Sequence, residues 1–471
     1  MAQIPHEMEI LYSEAKELID NSEDIKIYSH TDCDGMCSGA ILSIILDRLN
    51  KPHEIEFVNL DYLNDLPLNH ELTIFSDLGS GQPVDKYATE NNKILILDHH
   101  PPLRDISYKD SKDYTYIEIN PNHYGIDGSD EICGGGLCYL LAKTYNFTDL
   151  SWIGVLSAVG DMQNAKNGEL VGLNTLILDD AIEEGYIELT KKDLNIFGRK
   201  TRPLYAALSY FSDVNLPITN NQNETLALLD KLEIPKYTDR KPTTLSDLTH
   251  DEKAKLYSAL NGMLTTALPG RYAQYISKLL LQDTYEFLME EEKTFLRDAS
   301  EFSTAMNACG RNKEYETALE ILKGDRFVAL DALEAISKRH RYNLARAISK
   351  VTEEEETSII ELENLQYFEA DGIRAEIVGT VTGMILGYCN WKKPVLGFSK
   401  NTEEGYKISL RCSRLLSYDD IHFGNIIREV CKEIGGTGGG HAVACGAYIP
   451  IDKKDEFLQI FNDRISNLLK K

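Results

Sequence analysis

Three short apolar runs in the first hundred residues each end in polar chemistry. Ile27-Tyr28-Ser29 leads into His30-Thr31-Asp32-Cys33-Asp34-Gly35, Leu72-Thr73-Ile74-Phe75-Ser76 into Asp77, and Ile94-Leu95-Ile96-Leu97 into Asp98-His99-His100. Each run is too short for a buried helix and rich in β-branched residues, which reads as strand. Nearly continuous apolar positions over 36–50 read as a helix between the first strand and the next. Further strands are expected at 54–60 and 114–120. Helices are expected at 134–145, opened by Gly134-Gly135-Gly136, and at 151–159, closed by Gly160-Asp161. Strands alternating with helices mark an α/β domain on a mostly parallel sheet. Such sheets hold ligands beyond the carboxyl ends of their strands. There His30, Asp32, Asp34, Asp77, Asp98, His99, His100 and Asp161 would converge.

Beyond residue 195 the pattern changes. Residues 196–295 read as a helical insert, with short helices broken at Pro235, Pro242 and Pro269. Helical periodicity is expected over 282–309 and 314–322, so 296–325 is taken as a connector. A helix over 331–350 carries Lys338, Arg339, Arg341, Arg346 and Lys350. The remainder, 326–471, reads as a smaller α/β domain with strands near 357–361, 375–378, 394–399, 406–411 and 442–449. Its glycine run at 435–440 is expected to form a nest of backbone N–H groups able to hold a phosphate. Arg411, in Ser409-Leu410-Arg411, is suited to a bidentate phosphate clamp.

Charge changes this picture more than composition does. The 471 residues carry a formal charge of −26, which argues against a broad basic nucleic-acid surface. Residues 1–195 hold 13 Lys and Arg against 35 Asp and Glu, and residues 196–471 hold 36 against 40. The acidity therefore sits with the convergent carboxylates. The nine cysteines include no Cys-x-x-Cys pair, which points to reduced thiols in a cytoplasm, with Cys33 and Cys37 as packing residues. No apolar run is long enough to span a bilayer, and the first residues lack a signal-peptide pattern.

Clustered carboxylates repel one another unless cations neutralise them. Oxygen-rich ligation with two imidazoles suits Mn²⁺ or Mg²⁺ better than zinc. A carboxylate between two such ions, Asp77 being the choice here, gives an arrangement for phosphoryl transfer. Asp98 would orient the adjacent histidine from behind.

These residues carry a family resemblance. His30–Gly35, Ser76-Asp77, Asp98-His99-His100 and Gly160-Asp161 resemble, in order, the four motifs of the DHH phosphoesterase superfamily. Ser409-Leu410-Arg411 and Gly438-Gly439-Gly440-His441 resemble motifs of its associated C-terminal domain. Asn120-Pro121, 125–129, 197–203 and 301–311 are similar to archaeal RecJ-like proteins, and most of all to the GINS-associated nuclease type.

The resemblance implies a DHH-type domain and a DHH-associated domain across a cleft. It also implies a 5′ to 3′ exonuclease on single-stranded DNA, using two divalent ions with Mn²⁺ preferred and Mg²⁺ accepted. The partners implied are the GINS complex and the replicative helicase, in replication or repair. His30, Asp32 and Asp77 would hold one ion, and Asp34, Asp77, His99 and Asp161 the other. His100 would contact the scissile phosphate. Ser409, Arg411, Gly438, Gly439, Gly440 and His441 would hold the nucleotide.

Two departures stand out: His30 where many bacterial members carry aspartate, and no additional oligonucleotide-binding domain at the C-terminus. Competing readings are a 3′ to 5′ RNA exonuclease and a phosphodiesterase of short oligoribonucleotides or cyclic dinucleotides. The insert favours the nuclease. A purely structural replisome subunit would be expected to carry broken ligand motifs, and every position is filled. A type II pyrophosphatase would lack the glycine-run histidine.

Overall fold

Five strands, β1 (Ile25–Ser29), β2 (His53–Phe57), β3 (Leu72–Ser76), β4 (Lys93–Leu97) and β5 (Tyr116–Ile119), form a parallel sheet in the order β2-β1-β3-β4-β5. β1 and β3 are buried from end to end, as befits central strands covered on both faces. The order reverses between β1 and β3. That reversal is where an open α/β sheet forms its ligand crevice.

The computed structural model describes residues 3–59, 66–105, 116–354, 358–402, 405–418 and 421–469. The outer parts of two expected strands, residue 60 and residues 114–115, lie outside them, as does residue 357.

Helices α1 (His6–Asp20), α2 (Cys33–Arg48), α3 (Gly134–Thr144), α4 (Ser151–Gly160) and α5 (Asn174–Glu183) complete the first half. Helix α2 packs against β1, α3 and α4, which is why its apolar positions run almost unbroken instead of forming one stripe. Strand β6 (Ile187–Leu194) follows. Next come α6 (Leu204–Ser209), α7 (Gln222–Lys231), the β7 (Tyr237–Thr238) and β8 (Lys241–Pro242) hairpin, α8 (His250–Ala267) and α9 (Ile276–Leu280). Then come β9 (Leu281–Phe287), paired with β6, and α10 (Ala299–Asn312), α11 (Tyr315–Lys323) and α12 (Val328–Glu353).

The rest builds a second sheet from β10 (Ile360–Glu361), β11 (Gln366–Glu369), β12 (Val395–Thr402), β13 (Gly405–Arg411), β14 (Thr437–Gly440) and β15 (Ala444–Pro450), in the order β10-β11-β12-β13-β15-β14. Its helices are α13 (Ala375–Met384), α14 (Arg414–Ser417), α15 (Phe423–Ile434) and α16 (Lys454–Leu469).

The chain forms two compact units. One comprises residues 1–193 and 282–337, the other 194–281 and 338–471. In the second unit the α6–α9 segment is bound to the second sheet's domain. Arg414 donates from Nη2 to Asp213 Oδ2 at 2.5 Å, and Ser413 Oγ donates to Asp213 O at 2.8 Å. The Tyr275 and Tyr418 rings stack at 4.7 Å. Within the first unit α10 packs on α2 and α4, and Asn307 Oδ1 accepts the Cys33 N–H at 3.0 Å. All nine cysteines are buried and free, so Cys33 and Cys37 are packing residues.

Three local expectations change. The helix over 282–309 splits into β9 and α10, because Asp283, Tyr285 and Phe287 are buried at alternate positions. The strand at 375–378 is helix α13, whose buried Ile377, Val378 and Val381 recur at helical spacing. The glycine nest is strand β14, with Gly438 opposite Ala447 and Gly439 opposite Gly446. Extended pairing with β15 puts these residues in a ladder, not in a concave nest.

Candidate metal centre

Asp32 ends the turn after β1 as the N-cap of α2, with Oδ1 accepting the Gly35 N–H at 3.0 Å. That cap leaves Oδ2 facing His30 Nδ1 at 3.0 Å. Asp77, one residue past β3, adopts φ 58°, a left-handed conformation that aspartate tolerates better than most residues. Its Oδ2 lies 3.4 Å from His30 Nδ1 and its Oδ1 lies 3.1 Å from His99 Nε2. The Asp77 carboxylate therefore stands between the two histidines. His99 Nε2 is also 3.4 Å from Asp34 Oδ2 and 3.8 Å from Asp161 Oδ2. Past β4, Asp98 Oδ1 accepts from His100 Nδ1 at 2.8 Å, while Asp98 Oδ2 accepts the Ser80 N–H at 2.8 Å. All eight residues of the first domain expected at the site thus meet at one place.

Asp34 is 2% exposed, and its burial is matched by donors at the amino end of α3. Oδ2 accepts the Gly134 N–H at 2.8 Å and Oδ1 the Gly135 N–H at 2.7 Å, and Ser157 Oγ also donates to Oδ1. A helix amino terminus favours a carboxylate in this way. The glycine is required by close approach, since a Cβ at Gly135 would lie 2.1 Å from Ser157 Oγ.

The electrostatics follow from crowding. Burial, then the charges of Asp77, Asp161 and Asp32, push Asp34 well above the carboxylate range. Burial opposes charge on His30, yet Asp32 and Asp77 raise it well above the usual imidazole value. His99 is raised likewise against its burial, by Asp161, Asp77 and Asp34. Asp98 is lowered to about 2: burial works upward but His100 prevails. The pocket therefore favours positive charge among its carboxylates.

The second unit places the other expected residues on one sheet. Ser409 and Arg411 lie on alternate positions of β13, opposite Gly446 and Ala444 of β15. Gly439 of β14 lies opposite the same Gly446, so Ser409, Gly446 and Gly439 form one row across three strands. A Cβ at Gly379 of α13 would lie 3.0 Å from Arg411 Nη2 and 3.4 Å from Ser409 Oγ, so the helix's bare glycine lies over these two side chains. His441 follows β14, its N–H donating to Ala444 O at 3.0 Å.

The DHH family N-terminal domain matches residues 24–158, the DHH-CID domain residues 196–277 and the DHHA1 domain residues 363–467. An uncharacterized protein of Methanocaldococcus jannaschii, MJ0831, is 30% identical over 456 residues, covering 95% of this chain and 94% of that protein. The chain belongs to the DHH family.

A similar fold in solved structures extends over nearly the whole chain. CDC45 from Entamoeba histolytica superposes with a TM-score of 0.60 at 14% identity, covering 98% of this chain and 99% of that one. RecJ in complex with Mn²⁺ from Thermus thermophilus gives 0.56 at 14%, covering 99% of this chain and 56% of that one. The fold is RecJ-like, and RecJ-like DHH hydrolases are metal-dependent phosphoesterases. Among the described residues no helix is long and apolar enough to cross a membrane.

The DHH site of this chain fits divalent cations. His30, Asp32 and Asp77 offer ligand atoms within 4.8 Å of one another, as do Asp34, His99 and Asp161, and Asp77, His99 and His100. Asp77 Oδ2 is buried without a hydrogen-bond partner, and His30 Nδ1, though 3.0 Å from Asp32 Oδ2 and 3.4 Å from Asp77 Oδ2, has neither of them in hydrogen-bond geometry. Orphaned buried polar atoms of this kind are what a cation would satisfy.

Sequence reasoning missed the supports. Gly134 and Gly135 were visible as a helix entry but not as donors to Asp34. Gly128 O accepts from His99 Nδ1 at 2.5 Å; Gly128 lies in the resembling stretch 125–129, where nothing marks its carbonyl as an acceptor, and Gln163 carries no motif.

Proposed function

We propose that this DHH protein is a single-strand-specific exonuclease that hydrolyses phosphodiester bonds, 5′ to 3′ on DNA. The observation that carries the proposal is the Asp77 carboxylate, placed between His30 on one side and His99 on the other at the β1/β3 reversal. His30, Asp32 and Asp77 would hold one ion, and Asp34, Asp77, His99 and Asp161 the second. Bound there, two divalent ions, Mn²⁺ or Mg²⁺, would supply the activation of water and offset the charge on the leaving oxygen.

The chain's own groups do the rest. Asp98 accepts from His100 Nδ1, which leaves His100 Nε2 as the atom to contact the scissile phosphate. Asp34 keeps its place through the α3 amides. Ser409, Arg411, His441 and the Gly438, Gly439 and Gly440 strand would hold the nucleotide, with arginine matching the phosphate. Lys338, Arg341 and Arg346 on α12 are exposed, as is Tyr342, and such a face suits a strand's phosphates and bases.

The full-length likeness to CDC45 supports a second reading, a structural subunit bound to GINS beside the replicative helicase. A time course with Mn²⁺ on single-stranded DNA and RNA, labelled at the 5′ or the 3′ end, separates the readings. Immediate mononucleotide release from 5′-labelled DNA supports the proposal. Cleavage confined to RNA, to 3′ ends or to the shortest oligomers moves the protein to RNA or dinucleotide turnover. Intact strands with wild type and Asp34→Ala alike leave the structural role.

A further inference from the structure

Gln163 follows Asp161 by two residues and is fully buried at 0% exposure. Its Nε2 donates to Asp161 Oδ2 at 2.9 Å and to Gly128 O at 2.9 Å. Gly128 O also accepts from His99 Nδ1 at 2.5 Å. One carboxamide thus touches Asp161 directly and His99 through a shared carbonyl. Gly128 itself packs closely on the backbone of His99, since a Cβ at Gly128 would lie 1.9 Å from His99 O. Asn122 Nδ2 holds that same His99 O at 2.9 Å.

The amide's orientation is determined by its neighbours. Gly128 O only accepts, so Gln163 must present its NH₂ there. Its Oε1 then accepts from Asn174 Nδ2 at 2.6 Å, and Asn174 Nδ2 also reaches Asp130 O at 3.4 Å, another group that only accepts. Donors and acceptors alternate without conflict along the row Asp130, Asn174, Gln163 and Gly128.

We propose that Gln163 is a positioning residue that aligns His99 and Asp161 as ligands of one ion of the pair, with Asn174 setting the direction of its amide. The proposal rests on the two-ion reading above. Because Nδ1 of His99 donates to Gly128 O, its Nε2 is the atom turned towards Asp34, Asp77 and Asp161. Such supports behind a ligand are worth 10- to 100-fold in metal affinity. Gln163 forms no hydrogen bond with His30, Asp32 or Asp77, so the effect falls chiefly on the ion held by His99 and Asp161.

Calorimetric titration of Mn²⁺ into the full chain tests this, with wild type, Gln163→Met, Gln163→Glu and Asn174→Asp, each also melted without metal. Wild type is expected to show two binding events. In both Gln163 variants one event weakens by about 10- to 100-fold while the other keeps its wild-type affinity. Asn174→Asp gives the same one-sided loss with Gln163 still present, because a carboxylate against Oε1 turns the amide over. Equal weakening of both events, or no change in either, overturns the proposal, and equal weakening with a lowered metal-free melt assigns Gln163 to general packing. Fewer than two events in wild type overturns the two-ion reading itself, and the alignment proposal with it.

Discussion

Asp34 Oδ1 lies 2.7 Å from the amide nitrogen of Gly135 across a gap with no room for a side chain. The contact ties the amino end of α2 to the amino end of α3, although the two residues are 101 positions apart. The first prediction follows from it. Gly135→Ala places a Cβ against Ser157 Oγ and pushes the amide away from Asp34. Overpacking of this kind costs about 1–3 kcal/mol, read as a lower midpoint in urea unfolding, with Mn²⁺ binding weakened in the same variant. An unchanged midpoint would show that the helix moves aside freely.

Asp77 separates charge from ligation. Asn tolerates the same positive φ, so Asp77→Asn keeps the backbone while removing one negative charge beside Asp34. Without metal the variant is expected to melt at or above the wild-type temperature. With Mn²⁺ the wild type gains about 2.7 kcal/mol at a hundred times its dissociation constant, and the variant gains far less. The proposed nuclease activity is expected to fall at least about 100-fold, the scale on which a charge-stabilising group acts.

Acid should loosen the second unit through Asp213. Burial works to raise its pKa, but the Arg414 guanidinium outweighs this and holds it below the ordinary value. A carboxylate lowered on folding stabilises above its unfolded pKa of about 3.9 and loses that contribution as pH falls through the folded value. Asp213→Asn leaves Arg414 without its partner at neutral pH, at a cost of about 3 kcal/mol. The gap between wild type and variant, followed by thermal melts, is expected to be widest near pH 7 and to close below about pH 4.

The α12 face offers a salt test. None of Lys338, Arg341 and Arg346 forms an ion pair among the described residues. Replacing all three with alanine should weaken single-strand binding across sequences and reduce the salt slope by about 2, at about 0.7 per phosphate contact. Tyr342→Ala should cost about 1–3 kcal/mol if a base stacks there, with the salt slope unchanged. An unaltered affinity in both variants would make this a solvated face.

By itself the sequence determined the first domain's strands, their order of chemistry and the family. Apolar runs of strand length ending in His30, Asp77 and Asp98 signal a parallel sheet, because burial on both faces demands such runs. The candidate ligands were legible for the same reason: side chains just past a strand's carboxyl end have one place to go. Other features had no local signal. Strand β6 is half exposed and largely polar, β9 lies in a stretch that also reads as helix, and the glycines of β14 suit a loop as well as an edge strand. Pairing with partners distant in sequence decides these cases. The same holds for the supports of the site. That Gly135 donates to Asp34, that Gln163 reaches both Asp161 and the Gly128 carbonyl, and that Arg414 grips Asp213 depend on chain segments brought together only by folding. Hydrogen bonds of this kind depend on distance and direction in space, and neither is written in the spacing of residues along the chain.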